Sequence, residues 1–292
     1  MSIDSSIVGL SAEPVIHHID ARWMMAYAAA LGDTLPCYFD TTRSDGIVSH
    51  PLFPCCFEWP AFLAMRTRLS GSGLTDAEML RGVHATDDVT LHSPIRVGNR
   101  LITRASICAA RRIKAGTYLV TKIETHSVRD IPVCTTYYGS IFRGVEMTGD
   151  DHGFESGAAD FASVPITSPP LSSTTIAVGA GLAHVYTECS RIWNPIHTDA
   201  AAAAAAGLPA IILHGTATLA LAVSKIVETE TGGRPDRITR VAGRFAAMVL
   251  MPSKLTLRIL ARVGSGSGSG VHFDLRTERD AAAIRGGLVA WS

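Results

Sequence analysis

The chain lacks an excess of charge of either sign, with 26 Lys and Arg against 26 Asp and Glu. That excludes a global field that would recruit nucleic acid or an acidic membrane, though a local basic patch remains compatible with an anionic ligand. No apolar run approaches the roughly 20 residues of a membrane helix. Met1 to Leu10 has neither the basic head nor the apolar core of a secretory signal. The expectation is a soluble cytoplasmic protein with no nucleic-acid partner and no membrane span. Cys-x-x-Cys pairs are also missing. Cys37, Cys55, Cys56, Cys108, Cys134 and Cys189 are scattered, and the vicinal Cys55-Cys56 is poor geometry for a disulfide or a zinc site. Reduced, structural thiols are expected. There is no His-Glu-x-x-His and no Gly-x-Ser-x-Gly, and His17-His18 has no second pair of ligands in sight. The reading is therefore no metal and no serine nucleophile elbow.

What is present is an ample core and an internal duplication. The 292 residues, 47% of them hydrophobic, suffice for one large domain or two ordinary ones. Asp20 to Leu31 reads as a helix with Asp20 as N-cap, and it runs into Gly32 to Asp40. A helix-like stretch from Gly181 to Glu188 runs in the same way into Arg191 to Asp199. Superposed, Pro36 matches Pro195, Asp40 matches Asp199, Asp33 falls on Ile192 and Tyr38 falls on His197. Longer helices are predicted over Phe53 to Leu69, interrupted at Pro60, and over Gly215 to Glu230. Asp199 is placed to cap a helix over Ala200 to Ala206.

Each copy ends in runs rich in β-branched and aromatic residues. In the first these are Arg100 to Ala109, Gly116 to Thr125 and Val133 to Phe142. In the second they are Ile238 to Leu250, Lys254 to Val263, Val271 to Arg276 and Ala283 to Trp291. Helix, loop, long helix and antiparallel meander, written twice, predict an α+β fold in which a sheet curls around a helix. The boundaries read as a first copy over 1–145, a polar Gly/Pro-rich linker over 146–170 and a second copy over 171–292. The Gly264 to Gly270 run lies between two strand-like stretches and has no following Lys-Ser/Thr, so it reads as a flexible hairpin connection, not a phosphate loop.

The chemistry-bearing stretch is Ser190-Arg191-Ile192-Trp193-Asn194-Pro195-Ile196-His197, followed by Leu213-His214-Gly215. It resembles the signature of MaoC-like (R)-specific enoyl-CoA hydratases, which reads roughly Ser-Gly-Asp-x-Asn-Pro-Ile-His. The resemblance covers essentially the whole chain and implies a tandem, or double, hotdog fold: two antiparallel sheets, each wrapped around a central helix. It also implies that His197 is the acid/base group and Asn194 its orienter. The Gly215 N–H is then the donor to the thioester oxygen as that oxygen becomes enolate-like, a role that suits a helix N-terminus. Ile192, Trp193, His214 and Arg191 are expected to line the substrate site. Read as pattern alone, His197 and Asn194 are turn residues and Gly215 a helix start.

Ile192 departs from the pattern, because it stands where the family keeps its catalytic Asp. Hydrating a conjugated thioester needs one group to deliver water to the β-carbon and one to protonate the α-carbon. Loss of an acid–base group costs on the order of 100- to 10,000-fold, about 3–5 kcal/mol. Glu188, four residues earlier, and Asp33 of the first copy are the candidate carboxylates to substitute.

The expected reaction is the interconversion of a trans-2-enoyl-CoA and an (R)-3-hydroxyacyl-CoA, with no cofactor. The carrier is CoA or an acyl carrier protein. Thioester cleavage on the same fold and a catalytically silent acyl-thioester-binding subunit stay open as alternatives. The degenerate first copy is expected to make room for the acyl chain, with Trp23, Met24, Met25 and Phe57 as lining candidates. Arg191, Lys225, Arg240 and Arg244 are candidate partners for CoA phosphates. Hotdog sheets usually pair, so a homodimer is expected.

Overall fold

The structure is a computed structural model, described for residues 2–71, 74–153, 169–264 and 268–292. In chain order the first half contains β1 (Ser2–Asp4), β2 (Val15–His18), α1 (Ala21–Ala30), α2 (Pro36–Phe39), α3 (Pro54–Ser70) and α4 (Asp76–Met79). It continues through β3 (Gly82–Leu91), β4 (Arg100–Ile113), β5 (Gly116–Ser127), β6 (Pro132–Arg143) and β7 (Glu146–Thr148). The second half contains β8 (Ser172–Val178), α5 (Leu182–Ser190), a 3-10 turn (Pro195–His197), α6 (Ala200–Ala205) and α7 (Gly215–Glu230). It ends with β9 (Ile238–Phe245), β10 (Ser253–Val263), β11 (Ser269–Thr277) and β12 (Ala282–Trp291).

The chain forms two compact units that interleave in sequence. The first comprises Met1–His18, Phe57–Ser93 and Arg100–Asp160. The second comprises Ile19–Cys56, Pro94–Asn99 and Phe161–Ser292.

In the first unit the strand order is β2-β4-β5-β6-β3, antiparallel throughout. Alternation along β4 puts Leu101, Thr103, Ala105, Ile107 and Ala109 inward, as expected of a sheet with one buried face. Ala61, Phe62, Met65 and Leu69 of α3 share one apolar core with Ala105, Ile107, Leu119, Ile123 and Phe142 of the strands. Pro60 lies inside α3 without ending it. Proline costs a helix one N–H bond and crowds the carbonyl one turn back. The length of apolar surface that α3 buries overrides this local preference.

In the second unit the order is β9-β12-β11-β10-β8, again antiparallel. Helix α7 buries nearly all of Ala217–Val227 and packs on β9 and β12. Leu255, Leu257, Phe273, Leu275, Ile284 and Val289 are buried on the strands. Gly243 of β9 allows close approach on this side of the sheet: a Cβ there would lie 3.1 Å from Ile284 of β12 and 3.5 Å from Leu219 of α7. Helix α1 also packs on α5 within this unit. Asp20 caps α1 by accepting from the Trp23 N–H at 2.8 Å, as its sequence position predicted.

Several expectations shift. β2, β3 and β8 were not foreseen, because His17-His18, Asp87-Asp88 and the Ser/Thr-rich Ser172–Thr175 dilute the apolar signal. The run expected from Ile238 to Leu250 ends at Phe245. Glu146–Thr148, expected as linker, pairs in parallel with Ser2–Asp4. Residues 154–168 of that stretch lie outside the described residues. β10 and β11 do form the predicted hairpin, although residues 265–267 of its connection lie outside the described residues. All six cysteines are free.

Candidate active site

The motif residues lie in the second unit, on the segment from α5 to α7. Helix α5 ends at Arg191, which takes a left-handed conformation (φ 63°), a conformation unfavourable for a residue with a Cβ. Its guanidinium stacks over the Trp23 ring at 4.0 Å. The sharp turn at Arg191 directs Ile192 inward, where it is buried, and Trp193 outward, where it is 60% exposed. Asn194 precedes the 3-10 turn and its carbonyl accepts from the His197 N–H at 3.1 Å. The Asn194 side chain makes no capping bond. Asp199 accepts from the N–H groups of Ala201 and Ala202 at 2.8 and 3.1 Å, which fixes the far side of the turn. His184 Nε2 meets the Thr198 carbonyl at 3.1 Å.

Two histidines meet at the centre. His197 Nδ1 lies 2.8 Å from the Ile212 carbonyl. A carbonyl only accepts, so Nδ1 carries the proton and Nε2 the lone pair. Ile212 is itself held by a bridge to Leu250, and the Leu213 N–H donates to the Val249 carbonyl at 2.9 Å. The His214 ring stacks on His197 with centroids 3.7 Å apart and planes inclined 27°. His214 Nε2 lies 3.2 Å from Thr187 Oγ1 and 3.4 Å from the Ile192 carbonyl, so Nε2 carries its proton. His214 Nδ1 has no partner among the described residues.

Burial depresses both pKa values. Desolvation lowers that of His197, partly offset by the Ile212 carbonyl. Desolvation and then the His197 charge bring His214 down to about 2. Both rings are neutral near neutral pH.

Gly215 opens α7 directly after His214, and the first N–H groups of a helix have no partner within it. A Cβ on Gly215 would meet the Phe245 ring at 3.2 Å, so glycine allows that ring to lie against the helix start. Below it, Tyr186 donates to Thr216 Oγ1 at 3.0 Å. Its hydroxyl lies 3.3 Å from that of Tyr27 and 3.5 Å from Cys55 Sγ. These groups connect α5, α1 and the start of α7.

Asp33 is brought elsewhere. It is buried, its Oδ1 accepts from the Leu35 N–H at 3.3 Å, and Ser224 lies beside its side chain. Ser224 lies nine residues beyond Gly215 on α7, about 13 Å along the axis. Glu188 is exposed on α5. Beside Asp33, His50 Nε2 meets Ser224 Oγ at 3.2 Å while its Nδ1 accepts from the Leu52 N–H at 3.1 Å. Serine, histidine and aspartate are thus together with the wrong polarity for a triad. The lone pair of His50 is taken by a backbone donor, and its Nε2–H points at the serine, so it has no means of removing the serine proton.

The copies correspond further than the motif suggested. Ser49-His50-Pro51 precedes the long helix of the first copy as Leu213-His214-Gly215 precedes that of the second. Pro51 has no N–H to offer where Gly215 has one. The Tyr38 and His50 rings lie 5.9 Å apart, the first-copy counterpart of the histidine pair. That alignment is the sequence signal that finds His50. Nothing in the sequence marks the Ile212 carbonyl.

Of the other expected residues, Met24 and Phe57 are fully buried. Lys225 pairs with Glu228 at 2.8 Å. No group of three His, Cys, Asp or Glu among the described residues is arranged to hold a metal. No helix among them is long and apolar enough to cross a membrane.

The fold defines a class, the double hotdog proteins. A MaoC-like dehydratase from Phytophthora capsici has this architecture with a TM-score of 0.81 over 98% of both chains at 19% identity. Within that class the chain carries MaoC-like dehydratase domains: residues 161–278 match the MaoC like domain and residues 6–136 the FAS1-like dehydratase domain region. The 3-hydroxyacyl-thioester dehydratase Y of Mycobacterium tuberculosis is 25% identical over 91% of this chain and 90% of its own length. The peroxisomal enoyl-CoA hydratase 2 of Arabidopsis thaliana is 39% identical over 57 residues, 20% of this chain. That match spans 18% of the relative's own length, and a 74-residue match at 35% identity to the fatty acid synthase beta subunit pkiC of Emericella nidulans spans 4% of that protein.

Proposed function

We propose that the protein interconverts trans-2-enoyl and (R)-3-hydroxyacyl thioesters by addition and removal of water. The observation that carries this reading is the state of His197. Its Nδ1–H is committed to the Ile212 carbonyl, its Nε2 holds a lone pair, and burial keeps the ring neutral. That ring stacks on His214, which directly precedes a 16-residue helix whose first N–H groups have no partner within it. This is the pairing that a conjugate addition needs, a base for water and a donor for the oxygen that gains charge.

His197 Nε2 takes a proton as the water oxygen bonds to the β-carbon. The alkene electron pair moves towards the carbonyl, whose oxygen is held by the Gly215 N–H. The proton on Nε2 then passes to the α-carbon, closing the cycle with one base and no cofactor. Asn194 orients water and thioester, and Ile192, Trp193, His214 and Arg191 border the substrate. On the same reading residues 1–145 accommodate the acyl chain, 146–170 connect, and 171–292 hold the working site. The substrate is carried on CoA or an acyl carrier protein, and the active form is a cytoplasmic homodimer.

The test is incubation with a short and a long trans-2-enoyl-CoA, following loss of conjugated thioester absorbance and resolving product configuration. An (R)-3-hydroxyacyl-CoA product supports the reading. Free CoA without hydration replaces it with thioester cleavage, and binding without turnover replaces it with a silent acyl-thioester binder.

A further inference from the structure

With Ile192 in the loop, hydratase chemistry at this site lacks the carboxylate that would orient the histidine and its water. The Ile192 side chain is buried and offers no polar atom. Its carbonyl does, together with Thr187 Oγ1, and both face His214 Nε2. His214 in turn covers one face of His197 at 3.7 Å.

We propose that His214 is the positioning residue that replaces the loop carboxylate: it ties the Ile192 loop to the start of α7 and holds His197 in its neutral, base-competent orientation by covering its ring. This deepens the hydratase reading and rests on it for its catalytic consequence.

Three features argue for this role. His214 has its one proton committed, so it has none to donate to substrate. It is 2% exposed, which leaves no path for it to act on water directly. Its ring lies against both His197 at 3.7 Å and Tyr186 at 5.0 Å between centroids, so two aromatic neighbours restrict its orientation. The titratable groups facing the pair are Tyr186 from α5 and the two histidines themselves. The phenol of Tyr186 is held well above its ordinary pKa by burial and stays neutral. No carboxylate faces either imidazole among the contacts of this site, so the protonation of His197 responds to its burial, and the His214 ring supplies part of that burial.

The first copy shows the arrangement without this role. His50 occupies the matching position, yet its Nδ1 accepts from the Leu52 N–H at 3.1 Å, which uses the backbone donor that matches Thr216. His214 Nδ1 takes no such bond, so the N–H groups at the start of α7 are left for a substrate oxygen.

Two substitutions separate cover from tether. His214→Phe keeps a ring over His197 and loses the Nε2 bond, whereas His214→Gln keeps a donor for the Ile192 carbonyl and loses the stack. Two readouts are used: the pH dependence of kcat with a trans-2-enoyl-CoA, and the titration of His197 followed by nitrogen NMR, which needs no turnover. In His214→Gln the His197 titration should move up towards the ordinary histidine range, and the acid limb of kcat with it. In His214→Phe the titration should stay near wild type while kcat falls by about 10- to 100-fold from misplacement, with KM little changed. An unmoved His197 titration in His214→Gln, with both variants folded by circular dichroism, overturns the proposal whatever the activity. A shifted titration in a protein that hydrates no enoyl thioester upholds the positioning role and overturns the hydratase reading alone.

Discussion

His197 donates its Nδ1–H to the Ile212 carbonyl at 2.8 Å, and that bond decides which nitrogen is free for chemistry. Loss of the imidazole should therefore abolish most activity: His197→Ala is expected to lower kcat by about 100- to 10,000-fold with the fold retained. His197→Gln should behave similarly, because its amide offers no base. The pH dependence follows from the depressed pKa. The neutral form persists below the ordinary histidine value of 6.5, so activity should hold as pH falls through 6.5 and drop only at the lower folded pKa. Stability has the same sign: it is fully present above 6.5 and lost as pH falls through the folded value. A kcat–pH profile whose acid limb lies at or above 6.5 contradicts this.

Ile192 is the position at which a single change should add function. Ile192→Asp places a carboxylate where the family pattern has one, beside the loop that already carries Asn194 and His197. Hydration is expected to rise by at least tenfold, a modest part of the ~100- to 10,000-fold that an acid–base group contributes. The new carboxyl is buried, so a stability cost of about 1–3 kcal/mol accompanies the gain. Steady-state kinetics and thermal melting measure the two effects separately. A stable variant with no gain shows that the loop no longer holds hydratase geometry at this position.

Asp33 tests whether the first copy lends its carboxylate. It sits with Ser224 and His50, and Ser224 is about 13 Å from Gly215 along α7. Asp33→Asn should accordingly leave kcat far above the ~100-fold loss that removing an acid–base group brings. Burial raises the Asp33 pKa, so the native carboxyl weakens the fold as pH rises through the folded value, and the amide variant should be the more stable at alkaline pH. A collapse of activity in a folded Asp33→Asn protein would restore the composite site.

The sequence made legible those parts of the molecule in which each residue acts locally. Asp20 and Asp199 cap the helices that their positions announce, and α7 runs from Gly215 to Glu230 as its spacing predicts. The hairpins between Gly- and Pro-bounded runs also pair as expected. What remained hidden depends on contacts far apart in sequence. β3 carries Asp87 and Asp88, both buried, and no alternation rule assigns two adjacent acids to the interior. The Ile212 carbonyl is a backbone group that any residue would provide. The stacking of His214 on His197 joins positions 17 apart through a turn, a short helix and a bridge to Leu250. The duplication did point to His50 once Ser49-His50-Pro51 is aligned with Leu213-His214-Gly215. Its reversed polarity follows from the Leu52 N–H, which only coordinates reveal.

Glu58 should govern how stability changes between pH 4.5 and 7. It lies on α3, 4% exposed, and its Oε1 accepts from Thr136 Oγ1 at 2.7 Å and Cys134 Sγ at 3.6 Å. Burial raises its pKa from 4.5 to about 7, against the lowering effect of those two bonds. The sign follows from linkage. Between 4.5 and 7 the unfolded chain ionises while the folded protein keeps its proton, so stability falls across that window and levels off above it. At about 1.4 kcal/mol per unit, the loss is about 3 kcal/mol. Glu58→Gln preserves the acceptor oxygen for Thr136 and removes the titration. Its urea midpoint should match wild type near pH 4 and exceed it at pH 8, where wild type has lost stability and the variant has not. The buried histidines act in the opposite sense. His17 at about 4, His50 and His84 at about 3 withdraw stability as pH falls below 6.5, equally in both proteins. The difference between the two stability curves therefore isolates Glu58, and a difference independent of pH from 4 to 8 would show that its pKa is the same in the folded and unfolded chains.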